Sequence, residues 1–276
     1  MTKNSGFTPQ WRTEPAREGT YRDALMFSPD AHSHPSAARA SMFLEEFDIT
    51  PENFVPSFPD GDMLIEDVPA STMANEHRVA IESIVGAENV SSTARDRVKF
   101  GHGKSLDEDI ALRLGQTPKL PDLVVHPRDK HDVSQIVAYC HEHRIPIIPF
   151  GAGSSVVIGT RADFGGVILV LRTHMNKIVS INEEDQTAVV QPGMMGPDYE
   201  GTLNSRPREL GAKSSWTGGH FPQSFELATV GGWVTALGSG QASTYYGDAY
   251  DLVVAQEYVT PIGTLRTHAY PAVANG

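Results

Sequence analysis

Two stretches of this 276-residue chain carry residue types whose spacing could do chemistry. The first is Pro149-Phe150-Gly151-Ala152-Gly153-Ser154-Ser155. Two glycines let the backbone turn sharply and expose successive N–H groups, and the two serines add hydroxyl donors. An uncharged loop can hold a pyrophosphate in this way, without a lysine. Two better-known phosphate loops do not fit: the G-x-G-x-x-G pattern needs a glycine where Val156 stands, and a Gly-Lys-Ser/Thr is absent. A plain tight turn would have the same composition, so the loop alone leaves both readings open. The second stretch runs His220-Phe221-Pro222-Gln223-Ser224-Phe225-Glu226-Leu227-Ala228-Thr229-Val230-Gly231-Gly232-Trp233. Gly231-Gly232 permits close approach to a flat ligand face, and Ser224 and Thr229 can donate to it. The blander alternative is a Gly-Gly helix packing site beside an exposed histidine.

Other candidates have simpler accounts. His32 and His34 bracket a serine with no Asp, Glu or Cys cluster at ligand spacing, which suits a solvated loop better than a metal site. His141 and His143 end a predicted helix, where a cation favours the dipole. Cys140 falls on that helix's apolar face and reads as an inert core thiol. Asp107-Glu108-Asp109 reads as a solvated helix start. No Gly-x-Ser-x-Gly elbow or other Ser/His/Asp order is visible.

The elements that must position the two stretches are legible from residue 121 onward. Asp122–His126 reads as a strand, Asp129–His143 as a helix with Val133, Ile136, Val137 and Cys140 on one face, and Ile145–Phe150 as an extended run. Pro146 and Pro149 place that run at a sheet edge or a strand end. Val167–Leu171 is a second buried-looking strand, and Lys177–Asn182 with Thr187–Gln191 a hairpin. Pro197 opens a helix through Leu203. Strand, helix and strand in this order are the grammar of a βαβ unit. Leu252–Val259 and Thr264–Thr267 read as further strands. From Ser214 to Gly240 glycine is dense, so the backbone there must approach a ligand or another strand, or adopt positive φ. Before residue 100 no strand pattern is strong. Met73–Val85 reads as a helix capped by Ser71 or Thr72 and Met42–Phe47 as a short one; a partly disordered leader to about residue 40 is the alternative.

Composition bounds the class. The formal charge is -12, from 22 Lys+Arg against 34 Asp+Glu, and there is no long basic run, so no nucleic-acid partner is expected. One cysteine excludes an internal disulfide framework and favours a reducing compartment. No stretch approaches the roughly 18 apolar residues of a membrane helix. The N-terminal twenty residues have no apolar signal-like core. A soluble, intracellular protein is expected.

Five motifs together carry a resemblance: Pro121-Asp122-Leu123-Val124-Val125-His126-Pro127, the Pro149–Ser155 loop, Ala228–Trp233, Tyr246–Val254 and Thr260-Pro261-Ile262-Gly263. In this order and spacing the chain resembles the flavin domain of the vanillyl-alcohol-oxidase-type (PCMH-type) FAD proteins. Within them it is most similar to the alkyldihydroxyacetonephosphate synthases, as Asp96-Arg97 followed by His102-Gly103 also suggests. The resemblance spans roughly residues 95–267. It implies an α+β fold of two subdomains, a βαβ subdomain and a second α/β subdomain, over residues 96–276. Residues 1–95 would be a helical or irregular N-terminal extension.

The resemblance also implies roles. Pro149, Phe150, Gly151, Ala152, Gly153, Ser154 and Ser155 would hold the FAD pyrophosphate. Gln223, Ser224, Phe225, Glu226, Leu227, Ala228 and Thr229 would lie along the isoalloxazine and ribityl chain, and Ala236, Leu237, Gly238 and Ser239 would be a further flavin contact. His220 would serve the proton steps as the catalytic residue. His102 could approach a substrate phosphate or only shape a turn. The synthases usually have Asp where Gln223 stands and Arg where Leu237 stands. No histidine matches a covalent link, so non-covalent FAD is expected.

The implied reaction exchanges the acyl group of an acyl-dihydroxyacetone phosphate for a fatty alcohol, giving an ether-lipid precursor without net redox. An FAD-linked oxidase or dehydrogenase of a hydroxy acid or alcohol is the first alternative, and a non-catalytic FAD-binding module the second. Family members continue through a Glu-Gly-Thr-Leu-Gly-type segment into a substrate cap, so a C-terminally incomplete domain is expected. The expected partners are a lipid-like small-molecule substrate, a membrane surface touched peripherally through that cap, and a second copy in a homodimer. The expected setting is cytoplasmic, or peroxisomal in a eukaryote.

Overall fold

The computed structural model describes residues 16–25, 42, 44–48, 50, 59, 61–117 and 119–267. Its centre is a sheet of four short strands, β1 (Val90–Ser91), β2 (Leu123–Val125), β3 (Ile147–Phe150) and β4 (Val167–Val170), in the order β1-β2-β4-β3. β4 runs parallel to both β2 and β3, and β1 pairs antiparallel with β2. Every residue of β2 and β4 is buried, the continuous apolar signature of strands covered on both faces. Alternation decides which side chain goes where. Leu123, Val125, Val167 and Leu169 pack against helices, while Val124, Ile168 and Val170 meet the rings of Phe100 and Phe150.

The helices follow from local chemistry. In chain order they are α1 (Tyr21–Leu25), α2 (Asn75–Val85), α3 (Ala94–Phe100), α4 (Leu106–Arg113) and α5 (Lys130–Glu142). Asp129 caps α5 by accepting from the N–H groups of His131 and Asp132 at 2.8 and 3.0 Å. Ser105 and Glu108 form a complete capping box on α4, so the acidic run marks a helix start as read. α5 buries Ile136 and Cys140 against the sheet, and α2 adds Ile81 and Val85 to the same cluster. Residues upstream of 96 thus supply both a helix and a strand to this unit. Burial pushes the Cys140 thiol up to about 11, as suits an inert core group.

The second unit opens with the hairpin β5 (Ile178–Asn182) and β6 (Thr187–Val190) and continues through α6 (Gly196–Asn204), α7 (Val230–Thr235) and α8 (Ser243–Tyr246). Ile178, Met194 and Leu203 form its first core, and Ala228, Trp233 and Ala249 its second. A last hairpin pairs β7 (Glu257–Thr260) with β8 (Gly263–Arg266). No described helix is long and apolar enough to cross a membrane.

Several expectations are corrected. Ser71 and Thr72 do not cap α2, whose cap position is Ala74 without a side-chain bond. They bind the buried carboxylate of Asp122, 50 residues away in sequence for Thr72, which satisfies that carboxylate where a cap would have left it bare. The strand expected from Leu252 begins only at Glu257. Val253 donates its N–H to the Tyr250 carbonyl at 3.3 Å and Gln256 donates its N–H to the Thr267 hydroxyl at 2.7 Å, so these donors are spent outside a ladder. β1 is a strand that no sequence pattern announced. The strand after Gly166 stops at Val170, and Leu171 opens a 3-10 turn. Met42 and 44–46 are helical, in agreement with the short helix read there. His32 and His34 lie outside the described residues, as does most of the leader; 16–25 includes α1, whose Tyr21, Ala24 and Leu25 are buried.

Candidate cofactor site

β3 ends at Phe150 and delivers the chain into Gly151–Ser155 at the carboxyl edge of the parallel strands, where open α/β sheets bind their ligands. Gly153 has φ +77, and a Cβ there would strike the Phe150 ring. Among the described residues, the N–H groups of Gly151, Ala152, Gly153, Ser154 and Ser155 have no hydrogen-bond acceptor. Ala152 and Gly153 are buried. Buried N–H groups are nearly always satisfied, so the open donors of Ala152 and Gly153, flanked by those of the half-buried Gly151, Ser154 and Ser155, suit an acceptor from outside the chain. Ser155 anchors the loop. Its carbonyl accepts from the Lys104 N–H at 2.6 Å, and its hydroxyl accepts from the N–H of Gly159 at 3.1 Å.

The second stretch meets the first. A Cβ on Gly151 would collide with the Thr229 hydroxyl, so the two stretches, 78 positions apart in sequence, are in contact through a glycine that has room for nothing larger. Thr229 is 1% exposed, caps α7 through the Gly232 N–H at 3.2 Å, and forms an isolated bridge with Met195. Ala228 is buried beside it. Ser224 and Phe225–Leu227 fold as a turn and a 3-10 turn, with Phe225 stacked on Trp233 at 6.0 Å and 15°. Gln223 and Glu226 are exposed.

His220 is 4% exposed, not surface-displayed as the plainer sequence reading had it, and its ring lies edge-on to Trp233 at 5.1 Å. Among the described residues, neither of its ring nitrogens, nor the indole N–H of Trp233, has a hydrogen-bond partner. Burial lowers the His220 pKa, against a smaller opposite pull from Asp248, so the imidazole is neutral near pH 7. Gly238 brings the third segment to this histidine: a Cβ on Gly238 would stand 3.7 Å from His220 Nε2. Ala236 and Leu237 are exposed, and Ser239 donates to Asp248 Oδ1 at 2.6 Å. The loop before His220 is pinned by Glu183, which accepts from the Lys213 and Ser214 N–H groups and from Trp216 Nε1. Sequence reasoning passed over Lys99, Lys104 and Arg172, which wall a small cavity beside the glycine loop. The available signal was Arg172 itself, a cation directly past the end of a buried strand.

A family described as an FAD binding domain matches residues 121–268. The chain belongs to this FAD-binding family. The match covers more than half of the chain and contains both stretches. The alkyldihydroxyacetonephosphate synthase of Dictyostelium discoideum is 36% identical over 172 residues, which cover 62% of this chain and 27% of that protein. Glycolate oxidase subunit GlcD of Bacillus subtilis is 34% identical over 154 residues, covering 54% of the chain and 30% of that protein. A solved alkyldihydroxyacetonephosphate synthase matches with a TM-score of 0.69 at 31% identity, over 75% of this chain and 37% of that one. The chain spans less than a third of the curated relatives it matches first. The two-subdomain PCMH-type fold and FAD as cofactor stand on these matches. The site accommodates that cofactor: the open N–H cradle suits a pyrophosphate, and the unpartnered His220 and Trp233 nitrogens offer polar groups to a neighbouring ring.

Proposed function

We propose that this chain is the flavin-holding part of an enzyme of the alkyldihydroxyacetonephosphate synthase type, replacing the acyl group of an acyl-dihydroxyacetone phosphate with a fatty alcohol. The observation that carries the reading is the convergence of the glycine loop on Thr229, with His220 buried and unpartnered beside Trp233. The similarity to the synthases supports the substrate class. Bound FAD supplies an electron-accepting ring that can activate a substrate carbon. Gly151–Ser155 donate N–H groups to the pyrophosphate. Thr229 holds the start of α7 against that loop, and Phe225 with Trp233 keeps water from the ring. His220, neutral near pH 7, accepts a proton at whichever nitrogen faces the reacting group. Long-chain substrates suit peripheral contact with a membrane through parts of the protein outside this chain.

A second reading, an FAD-linked oxidase of a hydroxy acid, rests on Leu237. This residue is 62% exposed, at the position where the resemblance to the synthases would put an arginine. Two measurements test the pair. FAD titration should give a bound flavin whose fluorescence is quenched, and Gly153→Asp should abolish binding while the fold, read by circular dichroism, persists. Retained flavin in that variant would remove the loop assignment. In the protein that carries this chain, labelled fatty alcohol should enter an ether product with the flavin staying oxidised under anaerobic conditions. Bleaching by a 2-hydroxy acid would instead select the oxidase.

A further inference from the structure

His220 is a buried base, and no hydrogen-bond partner among the described residues satisfies either of its ring nitrogens. Its Nε2 faces Gly238, where a Cβ would stand 3.7 Å away, so glycine leaves that nitrogen open ground. The next residues bring a charge to the same segment. Ser239 donates its hydroxyl to Asp248 Oδ1 at 2.6 Å, and Ala249 donates its N–H to the Gly238 carbonyl at 3.0 Å. Ala249 is buried in the cluster that holds Trp233, the ring against which His220 stands edge-on. Two hydrogen bonds and one packed methyl group thus fix the half-buried Asp248 beside the Gly238–Ser239 segment that His220 faces.

Other titratable groups pack on this corner from the neighbouring elements. Asp251 accepts from the Asp248 N–H at 2.8 Å, and Glu200 of α6 accepts from the Gly218 N–H at 2.9 Å. The Tyr199 ring fills the space that a Cβ on Gly218 would need, and the Tyr246 ring does so beside Gly219. The charge felt at the imidazole is that of Asp248, which favours the protonated form against burial. A proton taken by His220 makes an imidazolium inside the protein, a costly species unless an anion lies near it. In the acyl-for-alcohol exchange the alcohol O–H breaks as its oxygen bonds to the substrate carbon, and an imidazole N–H forms. The acyl group leaves as a carboxylate, which takes the proton from His220 and departs as the fatty acid. The imidazole ends neutral, so the anion has only a passing charge to stabilise.

We propose that Asp248 is a positioning residue for His220: held by the Ser239 hydroxyl, its carboxylate stabilises the imidazolium while the proton is in transit. The proposal rests on the reading of His220 as the proton acceptor, and it serves proton removal from a hydroxy acid equally. Ser239 acts here as the anchor of a charge.

The test is an NMR titration of the His220 imidazole in flavin-loaded protein at low salt, for the natural protein, Asp248→Asn and Asp248→Glu. Asparagine keeps an oxygen for the Ser239 hydroxyl and removes only the charge. The melting temperature should therefore stay unchanged while the His220 midpoint falls by about 0.5 on the pH scale. Glutamate should restore part of the difference, and added salt should shrink it. In the protein that carries this chain, Asp248→Asn should lower kcat about threefold with KM unchanged, and move the acid limb of kcat to lower pH by the same interval. An unmoved midpoint in folded Asp248→Asn would overturn the proposal, as would an equal fall in Asp248→Glu. Should Asp248→Asn fail to fold, Ser239→Ala carries the test: the released carboxylate should lower the midpoint in the same direction, and no change would sink the idea. Wild-type turnover in His220→Gln would remove the proton-acceptor reading itself. Lost turnover in His220→Gln with an indifferent Asp248 removes only the pairing.

Discussion

His102 is a histidine that the fold keeps neutral. It is 7% exposed, and burial first, then the Lys104 ammonium, depress its pKa to about 3, against a smaller opposing pull from the hydrogen bond to the Val98 carbonyl. In the unfolded chain the imidazole titrates near 6.5. Below that pH the unfolded state binds a proton that the folded state refuses until about pH 3, so stability falls with acidification across this window, by roughly 1 kcal/mol per pH unit. Denaturant unfolding of His102→Asn between pH 7 and pH 4 should show a shallower loss than the natural protein. An identical slope would put the acid sensitivity elsewhere. Sequence reading found this residue between Gly101 and Gly103 and left open a substrate-phosphate contact or a turn; the structure ties its Nδ1 to the Val98 carbonyl. Its closeness to Lys104 and Arg172 was not legible, because the three meet only where the sheet edge and the α3–α4 connection converge.

At the scale of elements, Asp122 ties three segments together. Its Oδ1 accepts from the Thr72 N–H at 2.7 Å and from the Ser71 and Thr72 hydroxyls, and its Oδ2 accepts from the Gly166 N–H at 2.7 Å. Burial alone would raise its pKa, but these hydrogen bonds outweigh burial and hold it below the usual carboxylate range. A depressed carboxylate contributes stability above its unfolded pKa and loses it as pH falls toward the folded value. Asp122→Ala should cost about 2–4 kcal/mol, because it strands the Gly166 and Thr72 N–H groups at the start of β4 and before α2. A loss under about 0.5 kcal/mol in urea unfolding would show the latch to be dispensable. α5 was readable because its apolar spacing and Asp129 cap are local. The latch was not, since Ser71 and Thr72 look like helix caps until Asp122 is brought against them.

At the scale of the molecule, the proposed cofactor site lies where two units touch. Gly151 belongs to the first unit and Thr229 to the second, and a ligand contacting both stabilises their contact as well as each part. At a hundredfold excess over its dissociation constant, FAD should add about 2.7 kcal/mol and raise the melting temperature by roughly 5–10 °C. A thermal melt with and without FAD measures this directly, and no shift would mean that the described units do not form a competent site together.

What the sequence by itself determined is whatever depends on neighbours along the chain. The buried strands, α5, the hairpin of β5 and β6, the glycine loop and the family resemblance all rest on short-range pattern, and they are where the reading placed them. The same locality explains the errors. The residues from Leu252 have the composition of a strand, but the Val253 N–H closes a turn on the Tyr250 carbonyl that sequence pattern does not show. Val90–Ser91 is too short to show a period, and becomes a strand because β2 offers it an edge. Only the tertiary structure decided that Gly151 meets Thr229, that His220 is buried rather than displayed, and that Lys99, Lys104 and Arg172 wall one cavity. Each of these is a contact between segments far apart in sequence, fixed by how the strands align and how the sheet's carboxyl edge is covered, and no local propensity encodes it.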